Sequence, residues 1–155
     1  MDQISGELNN ITTAMNNVKV ILSRHTDGKN LKGDELVGWL GEICGKLMLN
    51  GTLVGDEFQH DFEYGDRRVS VTARKGWNSG WNTTSGISKL EGEGCPTHLM
   101  FIHFDDDFSI QEVWLYPWTE LLDGNRFKEK KVHGEHRYYT FRVRPAEDEK
   151  HRIYP

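Results

Sequence analysis

The sequence predicts an α+β fold in which two N-terminal helices pack on a four- to five-stranded mixed or antiparallel sheet. Residues 1–50 carry two apolar patterns of helical period, and from Glu57 onward the period falls to that of strands. Helices followed by a run of strands are typical of α+β folds. The chain of 155 residues fits a single domain, which we divide into a helical part (1–50), a sheet part (57–143) and a charged tail (144–155).

The first predicted helix carries one apolar stripe on an otherwise polar surface. Its apolar residues recur at steps of three or four, and the helix is expected to end near His25, before the turn-forming "TDGKN". The stripe consists of Ile4, Leu8, Ile11, Met15, Val18 and Leu22. This pattern predicts that one side of the helix faces the core.

The second predicted helix lies within "LKGDELVGWLGEICGKLMLNGTLV" and is rich in glycine. Its apolar stripe comprises Leu36, Leu40, Ile43 and Leu47. Gly51 is its predicted C-terminal stop. Gly38, Gly41 and Gly45 each cost about 1 kcal/mol of helix stability relative to alanine. We therefore expect them to allow close packing of this helix on a sheet.

Two hairpins and a late strand make up the predicted sheet. The first hairpin consists of "EFQHDFEY", the turn "GD" and "RRVSVTARK", and the second consists of "HLMFIHF" and "IQEVWLYP" around "DDDFS". Together they predict a four-stranded meander. Further along, "WTELLDG" predicts a short helix after Pro117 and "HRYYTFRV" a fifth strand. Between them, "RFKEKK" predicts a solvated basic turn that could contact a phosphate backbone.

Composition and charge limit the classes of function. A net charge of −5 argues against an all-over basic surface for nucleic acid, although a local basic face is compatible with it. No apolar run approaches a membrane span and "MDQISGELNN" lacks a signal-peptide pattern, so we expect a cytoplasmic protein without membrane contact. Cys44 and Cys95 lack metal-ligand spacing and are expected to be reduced thiols. The G-x-S-x-G motif of serine hydrolases, the P-loop and the dinucleotide-binding fingerprint are absent from the sequence.

A "GE" helix, an Asp hairpin and a following strand succeed one another between roughly residues 33 and 118. The segments are "GWLGEICGKLML", "HDFEYGDRRVSVTARK" and "HLMFIHFDDDFSIQEVWLYP". Their order resembles the PD-(D/E)XK, or restriction-endonuclease-like, nucleases, especially small bacterial members, and implies a restriction-endonuclease-like core. In that family a helix Glu, a hairpin Asp and an acid on the next strand hold Mg²⁺, while a Lys two positions later positions the attacking water.

Carried over residue by residue, the resemblance places the helix Glu on Glu42 and the hairpin Asp on Asp61. The strand acid falls on Ser70 and the lysine on Thr72, so the catalytic strand is degenerate. Neutral hydroxyls are poor Mg²⁺ ligands and cannot replace an ammonium group. An active enzyme would have to recruit another group, such as Arg74, although an arginine cannot shuttle protons. Taken singly, the two acids can also be a polar residue on the outer face of a helix and a hairpin charge.

The segment "ARKGWNSGWNTTSG" predicts a second candidate site, a surface loop that binds nucleic acid or a protein partner. Its amides and hydroxyls suit phosphate contacts, and its tryptophans suit stacking. The predicted contact residues are Arg74, Lys75, Trp77, Asn78, Trp81, Asn82, Thr83, Thr84 and Ser85. The alternative is that both tryptophans fold back onto the core.

Two other polar groups are assigned to the surface. The run "HFDDDF" predicts a polar hairpin turn rather than a metal site, because aspartate favours turns. Its acids are Asp105, Asp106 and Asp107. The histidines of the C-terminal third lack the spacing of a helical zinc site and are expected at the surface. They are His133, His136 and His151.

These observations predict a catalytically degenerate nuclease-like domain that binds nucleic acid or a protein partner, in a bacterial defence or mobile-element system. One alternative is an active Mg²⁺-dependent DNA endonuclease, with the metal held by Glu42 and Asp61 and with Arg74 as the displaced third catalytic group. Another alternative is a protein-interaction adaptor or inhibitor that uses the loop of Trp77 and Trp81. Mg²⁺ is expected only in an active enzyme, and the sequence leaves a homodimer open.

Overall fold

The computed structural model describes residues 2–24, 34–132 and 136–155, and the side chains in these ranges apart from those of residues 2–4, 19, 21–23, 34, 35, 85, 132, 136 and 137. The helices are α1 (Asp2–Ser23), α2 (Asp34–Met48) and α3 (Trp118–Asp123), and a 3-10 turn covers Glu149–His151. The strands are β1 (Thr52–Leu53), β2 (Phe62–Tyr64), β3 (Arg67–Lys75), β4 (Thr83–Ile87), β5 (His98–Phe104), β6 (Ile110–Pro117), β7 (Lys128–Val132), β8 (His136–Arg142) and β9 (Arg152–Tyr154). The predicted α+β class is confirmed, while the predicted helix end at His25 lies outside the described residues.

Six strands form a mixed sheet in the order β1-β2-β3-β5-β6-β9. β3 and β5 run parallel, with Ser70 opposite Leu99, and the other neighbours are antiparallel. The two predicted hairpins, β2-β3 and β5-β6, are confirmed, but the predicted meander is wrong because the hairpins join in parallel. A parallel junction needs a crossover of about a dozen residues or more, which residues 76–97 supply. The predicted count of four to five strands is too low because β1 and β9 add the two edges.

The strands β4, β8 and β7 form a separate antiparallel sheet in that order. β8 is the predicted late strand, although it joins this second sheet. The solvated turn predicted for "RFKEKK" is wrong, because Lys128–Val132 pairs along β8 with Lys128 opposite Thr140. Tyr139, Phe141 and Val143 pack into the core between the two sheets, as the strand period of two requires.

α2 packs on the main sheet through its glycines. A Cβ atom at Gly41 would lie 2.6 Å from the Cβ atom of Ala73, and one at Gly45 would lie 2.9 Å from Sδ of Met100. A Cβ atom at Gly38 would meet nothing within 4 Å. The close packing predicted for these glycines is therefore confirmed for Gly41 and Gly45 and is wrong for Gly38.

The buried stripe of α2 differs from the predicted one. Val37, Leu40 and Cys44 are buried, whereas Leu36 is 42% exposed. The remaining members of the predicted stripe, Ile43 and Leu47, are partly buried. The buried line lies beside the glycines because the face with the least side-chain volume comes closest to the sheet. On α1, Leu8, Ile11 and Met15 pack against the same core. Val18, predicted in the stripe of α1, is 49% exposed.

The main sheet separates two hydrophobic cores. The core on the α2 side includes Phe62, Val69, Met100, Ile102 and Val113. The core on the other side, covered by the second sheet and α3, includes Leu99, Phe101, Trp114, Tyr116 and Phe141. Successive residues of β5 therefore enter opposite cores, which explains its nearly continuous apolar sequence.

A buried carboxylate ties the charged tail to the second core. Asp148 is 2% exposed. It accepts hydrogen bonds from Oη of Tyr116 (2.9 Å), from two nitrogens of Arg126 (2.8 and 2.9 Å) and from the N–H of Arg144 (2.8 Å). Beyond it, β9 pairs with β6, so the tail contributes to the sheet. Among the described helices, none is long and apolar enough to cross a membrane.

Candidate functional site

The two faces of β3 have different surroundings. Val69 and Ala73 are buried in the core under α2. Thr72 and Arg74 instead bond to β4 on the opposite side, at Thr84 and Thr83. The predicted alternation along this strand is confirmed, and the degenerate positions lie on the face that turns away from the helix.

Ser70 and Thr72 line a groove between β3 and β4, which we call the Asp61 groove. It has a volume of about 300 Å³, and Thr84, Lys89 and Asp61 also line it. Oγ1 of Thr72 and Oγ1 of Thr84 share a hydrogen bond of 2.9 Å, which joins the two strands. The structure thus brings the predicted Asp position and both degenerate positions into one concave surface.

Asp61 is fixed against β3 at the entrance to β2. Its N–H donates to the carbonyl of Val69 at 2.8 Å, and its Oδ2 accepts the N–H of Val71 at 2.6 Å. Burial raises the pKa of Asp61, and the Val71 N–H and the neighbouring His60 only partly offset this effect. The carboxylate is therefore held in place by the backbone of the strand that carries the degenerate positions.

Glu42, on the partly exposed side of α2, lies within electrostatic reach of Asp61. Its pKa is raised, first by burial and then by repulsion from Asp61 and Asp56. The two acids that the nuclease resemblance pairs are therefore close enough to interact electrostatically. Gly41, which allows α2 to approach β3, precedes Glu42 directly and so helps to set its distance from the sheet.

The donor set around this acid pair does not fit the metal site that the resemblance implies. In the described part of the chain, no group of three His, Cys, Asp or Glu residues is placed to hold a metal ion. Ser70 offers only a neutral hydroxyl, and the hydroxyl of Thr72 is engaged by Thr84. Glu63, another acid of the hairpin, is 2.7 Å from Nε2 of His60. Mg²⁺ prefers several carboxylate oxygens, and the family pattern requires one of them on the strand position that Ser70 occupies.

The two tryptophans of the predicted binding loop differ in exposure. The ring of Trp81 stacks on the buried His103, with centroids 4.4 Å apart, and packs against the second core. Trp77 remains 55% exposed, with its ring 4.2 Å from His103 and 5.1 Å from Trp81. The folded-back alternative therefore describes Trp81, and Trp77 is the exposed aromatic residue of the loop.

Most of the other residues predicted to bind a partner make contacts within the chain. Arg74 donates from Nε to the carbonyl of Thr83 at 2.9 Å, and Nζ of Lys75 lies 5.1 Å from the ring centroid of Phe108. Nδ2 of Asn82 donates to the carbonyl of Val143 at 2.9 Å. These contacts fix the loop to both sheets. Asn78 is exposed, and the side chain of Ser85 lies outside the described residues.

The second sheet carries a basic face, of which the sequence prediction named only the segment "RFKEKK", with Lys128 and Lys130, and not Arg142. Lys128 lies opposite Thr140, Lys130 opposite Tyr138, and Arg142 follows two residues after Thr140. Directly paired residues share a face of a sheet, and so do residues two apart on one strand. Lys128, Lys130 and Arg142 therefore point away from the core on one face, which we call the basic face. The alternation in "HRYYTFR" was the signal that could have placed Arg142.

Of the polar groups predicted at the surface, the aspartate turn is confirmed and His151 is not. The "DDDFS" segment forms the predicted hairpin turn, in which Oδ1 of Asp107 accepts from both the N–H and the Oγ of Ser109. The surface prediction for His151 is wrong, since its ring lies 4.9 Å from that of Tyr116 and its Nε2 is 3.1 Å from Oε2 of Glu120. His133 and the side chain of His136 lie outside the described residues.

Compared with models of known protein families and with curated proteins, the sequence has no match. The fold and the site define an α+β domain with a hydroxyl-lined groove between two sheets. The nuclease resemblance rests on the residues and their order alone.

Proposed function

We propose that the protein is a catalytically degenerate, nuclease-like domain that binds nucleic acid. The observation that carries this proposal is the Asp61 groove, where Ser70 and Thr72 stand in place of the acid and the lysine required by the nuclease pattern. Both positions point into the groove beside Asp61. A hydroxyl neither supplies the missing negative charge nor polarises an attacking water as an ammonium group would.

The basic face supports nucleic acid as the ligand. Lys128, Lys130 and Arg142 concentrate positive charge in a chain whose net charge is −5. Phosphate contacts from such cations dominate nonspecific affinity for nucleic acid. Glu129 lies opposite Tyr139, whose ring packs against the core, so this acid belongs to the other face of β7. The basic face is thus positive in spite of the acidic average.

The test combines cleavage and binding. Purified protein is incubated with plasmid DNA and with single-stranded and duplex oligonucleotides in Mg²⁺ or Mn²⁺, and retention of the same oligonucleotides is measured by fluorescence anisotropy. We expect retention without cleavage, and no difference in cleavage between the wild type and Asp61→Ala. Absence of binding to every nucleic acid at low salt would overturn the proposal.

The basic face has its own variant and a matched control. Replacing Lys128, Lys130 and Arg142 together by Gln removes three cations, and each lost phosphate contact lowers the salt slope for duplex DNA by about 0.9. The control replaces Arg67 and Lys150 by Gln, since both are exposed on other parts of the surface. An equal loss of affinity per cation removed in the two variants would show that net charge, rather than the basic face, controls binding.

An active endonuclease is the second candidate, and the electrostatic interaction between Glu42 and Asp61 favours it. Interacting acids whose pKa values are both raised are typical of functional sites, and a bound cation would relieve the repulsion between them. Cleavage that is lost in both Asp61→Ala and Glu42→Ala would establish this candidate in place of the degenerate one.

A further inference from the structure

The loop of residues 74–83, which we call the Trp77 loop, is closed at its base. Nε of Arg74 donates to the carbonyl of Thr83 at 2.9 Å, so the two ends of the loop are joined by one hydrogen bond. Gly76 donates its N–H to the carbonyl of Phe104 at 2.9 Å, which ties the loop to β5. The side chains that the loop exposes are therefore held on a defined scaffold.

Trp77 is presented in a fixed position on this scaffold. Its ring makes edge contacts with His103 at an interplanar angle of 87° and with Trp81 at 62°. His103 is fully buried and donates from Nε2 to the carbonyl of Gly76 at 2.8 Å. A ring that is held by two aromatic neighbours while 55% exposed has lost most of its rotational freedom before any ligand arrives.

Two guanidinium groups converge on Thr83 at the base of the loop. Nε of Arg74 reaches its carbonyl, and Nε of Arg142 reaches its Oγ1 at 3.3 Å. The ion pairs among the described residues engage other arginines, namely Arg126, Arg144 and Arg152. Two like charges at one residue, anchored through Nε, leave their terminal nitrogens for an anion, and the planar fork of such nitrogens matches a phosphate.

We propose that the Trp77 loop binds single-stranded nucleic acid, with a base stacked on Trp77 and the adjacent phosphates held by Arg74 and Arg142. This inference rests on the proposed function and names the form of nucleic acid and the surface that takes it. The flat face of a base is accessible to an aromatic side chain only when the base is unpaired. The exposed ring therefore selects a single strand, whereas the basic face by itself accepts any phosphate backbone.

Anisotropy titrations with labelled oligonucleotides of about 12 nucleotides test the stacking. The probes are a thymidine DNA strand, a uridine RNA strand, an abasic strand with the same number of phosphates, and a duplex. We expect Trp77→Ala to weaken binding to the thymidine or the uridine strand about tenfold, and to leave the abasic strand and the duplex nearly unchanged. Trp39→Ala is the control, because Trp39 is 60% exposed but lies on α2, on the opposite side of the main sheet.

The phosphate contacts are tested in the same titrations at several salt concentrations. Arg142→Gln should weaken binding to every single strand, including the abasic one, and reduce their salt slope by about 0.7, and it should also weaken binding to the duplex because Arg142 belongs to the basic face. Arg67→Gln, at the far end of β3, is the control. Circular dichroism and thermal unfolding of each variant exclude a loss of fold as the cause.

The outcomes separate this inference from the proposed function. Equal effects of Trp77→Ala and Trp39→Ala on the single strands overturn the inference, while binding of the duplex through the basic face leaves the proposed function standing. Equal loss on the thymidine and abasic strands overturns the stacking of a base on Trp77. If none of the four probes binds at low salt, both the inference and the proposed function fall.

Discussion

Replacing Gly41 by Ala tests how closely α2 is seated on β3, and with it the position of Glu42. The added Cβ atom would lie 2.6 Å from Cβ of Ala73 and 3.4 Å from Cγ1 of Val71. Carbon atoms pack best at about 3.5–4.0 Å, so the helix has to retreat by about 1 Å. Glu42 follows Gly41 directly and would move with it.

The magnitude follows from two opposing terms. Alanine favours the helix over glycine by about 1 kcal/mol, whereas overpacking of a well-filled core costs about 1–3 kcal/mol. Gly41→Ala should therefore lower the free energy of unfolding by about 1 kcal/mol. Gly38→Ala is the matched control on the same helix, since its Cβ atom would meet nothing within 4 Å. This control should raise the free energy of unfolding by about 0.5–1 kcal/mol.

Urea unfolding followed by tryptophan fluorescence and circular dichroism measures both variants. The two should differ by about 2 kcal/mol, which corresponds to about 4–8 °C in Tm for a domain of this size. If Gly41→Ala stabilises the protein as much as Gly38→Ala does, then α2 does not contact β3 as described. The account of the Glu42 and Asp61 pair would then fail as well.

Three further substitutions or probes test the buried groups. Burial alone would raise the pKa of Asp148, but the hydrogen bonds that it accepts hold the pKa below its ordinary value, so its contribution to stability is present above about pH 4 and is lost as the pH falls further. Asp148→Asn should lower the free energy of unfolding by about 3–5 kcal/mol at pH 7, measured by urea unfolding. A loss below about 1 kcal/mol would contradict the role of the ion pair with Arg126. Burial first, and then repulsion from Asp61 and Asp56, raise the pKa of Glu42, so ionisation of its carboxyl opposes folding once the pH exceeds the ordinary pKa of the group. Glu42→Gln should therefore raise the urea midpoint at pH 7 and not below about pH 4, where the carboxyl is protonated in both states. An equal gain at both pH values would contradict the raised pKa. The Cys44 thiol is 1% exposed, and burial raises its pKa to about 12. A thiol reagent at pH 8 should therefore modify Cys44 only at the rate at which the protein unfolds. Rapid modification of the folded protein would contradict its burial.

The periodicity of the sequence was sufficient to predict the local elements. Helical spacing located α1 and α2, and alternation located β3, β5 and β6, because burial of one face imposes its period on the residues. The same alternation predicted that Ser70 and Thr72 share one face of β3, which the Asp61 groove confirms. These predictions depend only on residues close together along the chain.

The order of the strands could not be read from the same patterns. Neighbouring strands usually pair, so β3, β5 and β6 were expected to form a meander, whereas β4 crosses to the second sheet. Two signals pointed to the parallel junction. Residues 76–97 are long enough for a crossover, and the sequence "HLMFIHF" of β5 is apolar on both faces, as in a central strand of a parallel pair.

The candidate site was only partly predictable because its contacts join residues that are distant in sequence. The different exposures of Trp77 and Trp81 depend on His103, which belongs to β5. Arg142 comes next to Arg74 only because β8 pairs with β4 rather than with the main sheet. Secondary-structure propensity and residue spacing contain no information on such long-range contacts.

Under the proposed function, β3 can keep its packing without the acid and the lysine of the nuclease pattern. Its stability comes from the face of Val69 and Ala73, which is packed under α2 and is unaffected by the residues on the other face. A carboxylate at position 70 would line the Asp61 groove together with Asp61, whose pKa is already raised by burial, and without a bound cation the repulsion would oppose folding. Hydroxyls at Ser70 and Thr72 remove this repulsion, and the bond between Thr72 and Thr84 joins the two sheets across the groove.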